Sequence, residues 1–155
     1  MRVEYINPFV EAAFKILEQA LGDEPVREKL YLKNTSHPVF GVAVIVGLAG
    51  DVEGRVLFDM SEETALSIAS SMNGETLTEM DELVKATIME LANMITASAI
   101  TNLQELGYSF DLTPPAIFTG DNMQIANSGV EALIVPVGLK SGKLEINVAI
   151  RERIN

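Results

Sequence analysis

From Thr78 to Gly107 the sequence keeps a helical hydrophobic period with no internal proline or glycine, and this stretch sets the size of whatever is built around it. Thr78 and Asp81 resemble a capping box, with Asp where Glu or Gln is usual, and Gly107 is a stop signal just past Leu106. At 1.5 Å per residue the predicted helix is on the order of 40 Å long, the spine of a small domain. Residues set at 100° intervals sort it into two sides. Met80, Val84, Ile88, Leu91, Ile95, Ser98 and Leu106 form the predicted core stripe. Glu82, Ala86, Met89, Glu90, Asn93, Ala97, Ile100 and Gln104 fall opposite.

On that outer side Glu90 and Asn93 are three residues apart, so their side chains emerge together. Ala86 and Ala97 flank them one turn away on either side, leaving open ground that another protein surface can approach. Met89 and Ile100 are expected to add exposed apolar area, as a docking face would. Asparagine costs roughly half a kcal/mol relative to alanine inside a helix, so Asn93 is not a neutral choice there. The spacing itself is common, and Glu152 with Asn155 repeats it at the tail.

The segments around the spine alternate between helix and hairpin signals. Asn7 is expected to cap a first helix, with Pro8 in its first turn, Phe9, Ala13, Phe14, Leu17 and Leu21 as its stripe, and Gly22 as its end. Residues 24–38 read as loop with a short strand near Lys29 to Lys33. Phe40 to Leu48 and Val52 to Phe58 are β-like runs around Ala49-Gly50-Asp51, hence a hairpin. Ser61 caps a second helix that has Glu62 and Glu63 in its first turn and stops near Asn73-Gly74. After the spine come a strand from Tyr108 to Leu112, Thr113-Pro114-Pro115, an edge strand from Ala116 to Thr119, and a polar loop from Gly120 to Ser128. Val130 to Leu139 and Lys143 to Arg151 close the chain as a hairpin about Ser141-Gly142, one face of the last strand being buried. Residues 1–155 therefore read as one α+β domain, an antiparallel sheet of hairpins packed against a long central helix and two shorter ones.

Composition removes several function classes. With no cysteine there is no disulfide, thiolate metal site or Cys nucleophile. Twenty-two acidic against 11 basic residues give a net charge of −11, which repels nucleic acid and anionic lipid. No secretory pattern opens the chain, and the longest apolar run, Phe40 to Gly50, falls short of the ~20 residues a membrane span needs, so a cytoplasmic location without membrane insertion is expected. His37 is the sole histidine and precedes Pro38 in a predicted loop, without a second ligand or a Ser/Asp arrangement. Asp81-Glu82 and Glu62-Glu63 open helices, where acids stabilise the dipole, so no metal site is assigned. The glycines at 41, 47, 50 and 54 lack the order of a nucleotide-binding loop, and hairpin geometry accounts for them.

The stretches VIVGLAGDVEGRVLFDMSEETAL, DELVKATIMELANMITASAI and DLTPP, in that order, resemble the CheC/CheX/FliY family of chemotaxis phosphatases, most closely its CheX members. The resemblance runs from the first helix to the closing hairpin. The family motif is an acidic residue or Ser, three residues, Glu, two residues, Asn, about twenty-two residues, then Pro. Glu90 and Asn93 match its centre, and Pro115 (or Pro114) its end. Its first position falls on Ala86, a departure, and Thr87 points about 100° away. The first helix is read as carrying no second pair, since Phe14 and Leu21 lie three after Glu11 and Glu18, as in a one-site CheX arrangement.

The resemblance implies a CheC-like fold and hydrolysis of the aspartyl phosphate on a CheY-type response regulator, which supplies its own Mg²⁺ and Lys. Asn93 would position the attacking water and Glu90 would pair with that Lys, while Ala86, Met89, Ala97 and Pro115 would meet the partner. No cofactor of its own is implied. A homodimer joined through sheet edges is implied as well. Two rival readings stand beside it: a non-catalytic response-regulator-binding or flagellar-switch-like interaction module, left open by Ala86, and a sensor holding a small ligand between sheet and helix.

Overall fold

The computed structural model describes residues 3–33, 37–125 and 131–152, so the readings placed on 126–130 and on Asn155 lie outside the described residues. In chain order the elements are α1 (Val3–Leu21), β1 (Val26–Arg27), β2 (Tyr31–Lys33), β3 (His37–Pro38), β4 (Val42–Gly50), β5 (Val52–Met60), α2 (Glu62–Asn73), α3 (Glu82–Glu105), β6 (Phe110–Leu112), β7 (Ala116–Thr119), β8 (Gln124–Ile125), β9 (Ala132–Leu139) and β10 (Gly142–Glu152). The described pairings are all antiparallel, and the main sheet runs β1-β9-β10-β5-β4-β6, with β2 also on β9 and β7 also on β4. This is the expected α+β architecture: an open antiparallel sheet with three helices.

The two hairpins form where the turn signals lie. Val42 faces Met60 and Leu48 faces Gly54 across β4–β5, while Gly142 faces Leu139 across β9–β10. Gly54 has φ +149°, and a Cβ there would run into the Ala149 carbonyl oxygen on β10, so only glycine lets β5 and β10 pair at that register. Even-numbered residues of β4, β5 and β10, among them Val42, Val44, Phe58, Ile146 and Val148, join the helices in one core.

Burial redraws several helix boundaries. α1 begins at Val3 rather than after Asn7, which puts Pro8 inside the helix, where it has no N–H to donate. Tyr5 explains the extension. It is 1% exposed, its ring meets Tyr108 edge-on at 5.2 Å, and its hydroxyl donates to Glu152 Oε1 at 2.7 Å. Burial, followed by the hydrogen bond to Glu152, raises the ionisation of that hydroxyl well above its ordinary range. Ser61 caps α2 as expected, and Gly74 ends it in the left-handed region at φ +68°. The cap of α3 is Asp81 and not Thr78, its Oδ1 accepting from Val84 N at 3.0 Å.

The sheet also departs from the sequence reading. The strand expected at Lys29 to Lys33 starts at Tyr31, and the predicted polar loop contains β8, which pairs with β3 through His37 and Ile125. β10 is buried on both faces, not one: its odd-numbered residues Glu145, Asn147 and Ala149 are as enclosed as its even-numbered ones. On the face away from the helices Glu145, Asn147 and Asp59 are buried beside Ala149 and Ile134. Glu145 and Asp59 are held there by partners: Tyr31 Oη donates to Glu145 Oε2 at 2.6 Å, and Phe40 N donates to Asp59 Oδ1 at 2.8 Å.

The reassigned cap separates two variants. Asp81→Ala is expected to lower unfolding free energy by about 1 kcal/mol, and Thr78→Ala to leave it unchanged, as measured by thermal or urea unfolding.

Candidate functional site

α3 is held on three sides. It packs against α1, α2 and the β4/β7 end of the sheet, and Val84, Ile88, Leu91, Ala92, Ile95, Thr96, Ala99, Ile100 and Leu103 are buried by them. Contact with several elements widens the buried stripe beyond the single azimuth read from the sequence. Ile100, expected on the outer side, is therefore only 6% exposed, and Leu106, expected in the core, is 60% exposed. Met89 is half-buried and packs against the core, so it contributes less open surface than expected.

What remains exposed is narrower and better defined. Ala86, Glu90 and Ala97 are exposed, and Asn93 is half-buried between them. Among the described residues neither Glu90 nor Asn93 has a side-chain hydrogen bond or ion pair, so both head groups remain available to a partner. Leu83, Thr87 and Met94 share this face, and the sequence reading passed over Leu83 and Met94. The signal was present for Leu83: seven residues before Glu90 is two helical turns, about 20° off the same line.

Thr87 is not free to serve in place of the missing acid at position 86. Its Oγ1 donates to the Leu83 carbonyl at 2.7 Å and accepts from Asn73 Nδ2 at 3.0 Å. Pro114 and Pro115 bridge β6 and β7, which both pair with β4, and Pro115 is half-buried. The turn is latched at its first residue. Gly47 N donates to Thr113 Oγ1 at 2.7 Å, and Thr113 N donates to the Gly47 carbonyl at 3.0 Å. A Cβ at Gly47 would lie 2.9 Å from Thr113 Cγ2, so this glycine serves a close approach and not a hairpin turn. Since α3 packs on β4 and β7, the prolines and the Glu90–Asn93 helix belong to the same end of the sheet.

Two further expectations change here. Because α1 reaches back to Val3, Glu4 and Asn7 fall on it three residues apart, so the absence of a second pair on the first helix does not hold. Asn7 was passed over because it was assigned as the cap. Among the described residues no three His, Asp or Glu side chains gather as a metal site would require. α3 is long and apolar enough to cross a membrane by composition, with a mean hydropathy of 1.3 over 18 residues, although half of that window is buried in the protein.

The sequence profile described as "Chemotaxis phosphatase CheX" matches residues 42–138. The chain is 29% identical over 142 residues, 91% of each chain, to the CheY-P phosphatase CheX of Thermotoga maritima. Its fold is similar to that of a CheC-like superfamily protein from Shewanella sp. PV-4, with a TM-score of 0.88 at 29% identity over 97% and 99% of the two chains. It is also similar to CheX of Borrelia burgdorferi in a CheX–CheY–BeF₃–Mg²⁺ complex, at 46% identity and a TM-score of 0.85 over 97% and 100%. The chain belongs to the CheX family of chemotaxis phosphatases.

A pair without internal partners among the described residues has a stability signature. Asn93→Ala is expected to raise unfolding free energy by about 0.5 kcal/mol, the helix-propensity difference. Glu90→Ala should shift it by no more than about 0.5 kcal/mol. Urea unfolding of both variants checks this, and a loss of more than about 1 kcal/mol would mark either residue as structural.

Proposed function

We propose that this chain hydrolyses the aspartyl phosphate of a CheY-type response regulator through Glu90 and Asn93. One observation carries the reading: in a CheX-family chain the motif's Glu and Asn lie three apart on an exposed helix face with their head groups unengaged. The Borrelia relative supports the partner, since its complex contains CheY, Mg²⁺ and BeF₃, which stands in for a phosphoryl group.

The chemistry suits so spare a site. An acyl phosphate is labile, and phosphoryl transfer chiefly requires an aligned nucleophile and stabilised charge. The Asn93 carboxamide both donates and accepts, so it holds a water in line with phosphorus. It has no basicity to remove the proton. The water oxygen bonds to phosphorus as the bond to the aspartyl oxygen breaks, and the water's proton leaves with the phosphate or to solvent. The regulator's aspartate departs as carboxylate. Glu90 pairs with the regulator's active-site Lys and orients the docking, while Mg²⁺ belongs to the regulator. Ala86, Ala97 and Pro115 meet the partner, with Met89 contributing its exposed part.

A cytoplasmic setting and a homodimer through sheet edges belong to the same proposal. Exposed Val26 and Leu32 on the β1/β2 edge are the apolar groups such an interface would cover.

The test is phosphate release from the phosphorylated cognate regulator. Asn93→Ala is expected to reduce the acceleration about a hundredfold, and Ala86→Asp to lower KM by restoring the contact the family motif has there. Unchanged acceleration in Asn93→Ala would overturn the mechanism. Regulator binding by the wild-type chain without faster release would overturn the activity in favour of a binding module.

A further inference from the structure

We infer that Leu83 is a specificity-determining residue of this site, an apolar anchor that seats the regulator's receiver domain beside Glu90 and Asn93. The inference rests on the phosphatase reading and adds to it a residue that the family motif does not contain.

Leu83 is 44% exposed. A lone exposed leucine is ordinary, but this one is part of a strip. Exposed Ala86 and Ala97 and half-buried Met94 continue it on both sides of the polar pair. Leu83 lies about 10 Å before Glu90 and about 15 Å before Asn93 along the helix.

Its backbone is also held in place. Asp81 caps the turn that contains it, and its carbonyl accepts from Thr87 Oγ1 at 2.7 Å. Thr87 is tied in turn to Asn73, whose Nδ2 also donates to the Ala69 carbonyl at 2.8 Å. The end of α2 therefore fixes the turn that presents Leu83. A side chain on such a rigid turn loses little conformational freedom when a partner covers it.

The occupant follows from continuity with the pair. A standard interface covers about 800 Å² per partner, a disc of roughly 16 Å radius. A regulator that places its phosphoryl group at Asn93 and its Lys at Glu90 therefore reaches Leu83. A bilayer would have to desolvate the exposed Glu90 carboxylate, and the net charge of −11 opposes anionic lipid.

Phosphate release is measured against rising concentrations of phosphorylated regulator for wild type, Leu83→Ala, Leu83→Met and Asn93→Ala. Leu83→Ala is expected to raise KM about fivefold to tenfold with kcat within about twofold and the thermal midpoint unchanged. Leu83→Met should restore KM to within about twofold. An unchanged KM in Leu83→Ala, with Asn93→Ala inactive, overturns the anchor and leaves the phosphatase reading standing. Full activity in Asn93→Ala overturns that reading and the anchor with it. Sedimentation, and flotation with phosphatidylcholine–phosphatidylglycerol vesicles, complete the test. If Leu83→Ala weakens self-association or vesicle binding at constant KM, the strip serves a second copy or a bilayer and the inference is wrong.

Discussion

The structure depends on sealing α3 between α1 and the sheet. Ile88, Leu91, Ile95 and Leu103 on that helix are all within 2% of full burial, opposite Phe9 and Leu17 of α1. Each such side chain contributes roughly 1.5–3 kcal/mol by leaving water. No single hydrogen bond in the domain approaches their sum. This burial fixes the rotation of α3 about its own axis, and the rotation decides which residues face out. A rotation of one residue, about 100°, would turn Glu90 from the surface toward the packed side. The candidate site is thus oriented by contacts on the opposite side of its helix.

Most of the fold was legible because local signals and burial agree along most of the chain. Ser61 and Gly74 bound α2 where their chemistry predicts, and both hairpins close at glycine-containing connections. Several misses share a cause: a helix wheel or a strand alternation describes one neighbour, and central elements have several. Ile100 was placed outside because the wheel allowed only one buried line, whereas α1 and the sheet bury two. The second face of β10 looked solvent-exposed because Glu145 and Asn147 are polar, yet both are buried, Glu145 accepting a hydrogen bond from Tyr31. Pro8 suggested a helix start, but the burial of Tyr5 outweighed one lost backbone bond.

The site itself was legible in part. Glu90 and Asn93 stood out because a polar pair at helical spacing opposes an apolar stripe, and the fold leaves Glu90 exposed and Asn93 half-buried. The ends of the site were harder to read. Leu83 looks like any helix leucine until the core stripe is known, and Thr87 looks like a spare hydroxyl until Asn73 is seen to hold it. The relation of Pro115 to α3 depends on two strands sharing β4, and pairings that distant leave no mark in local sequence.

The split strands at both margins of the sheet have a consequence for solubility. β4 is flanked by β6 and β7, of three and four residues, and β9 by β1 and β2, of two and three. Neither margin therefore offers a long unbroken ladder among the described residues. A stray β-segment finds only a few consecutive backbone groups to pair with before the Thr113–Pro115 turn, or the gap between β1 and β2, interrupts it. The same interruption that holds the prolines between β6 and β7 guards an open sheet against fibrous growth.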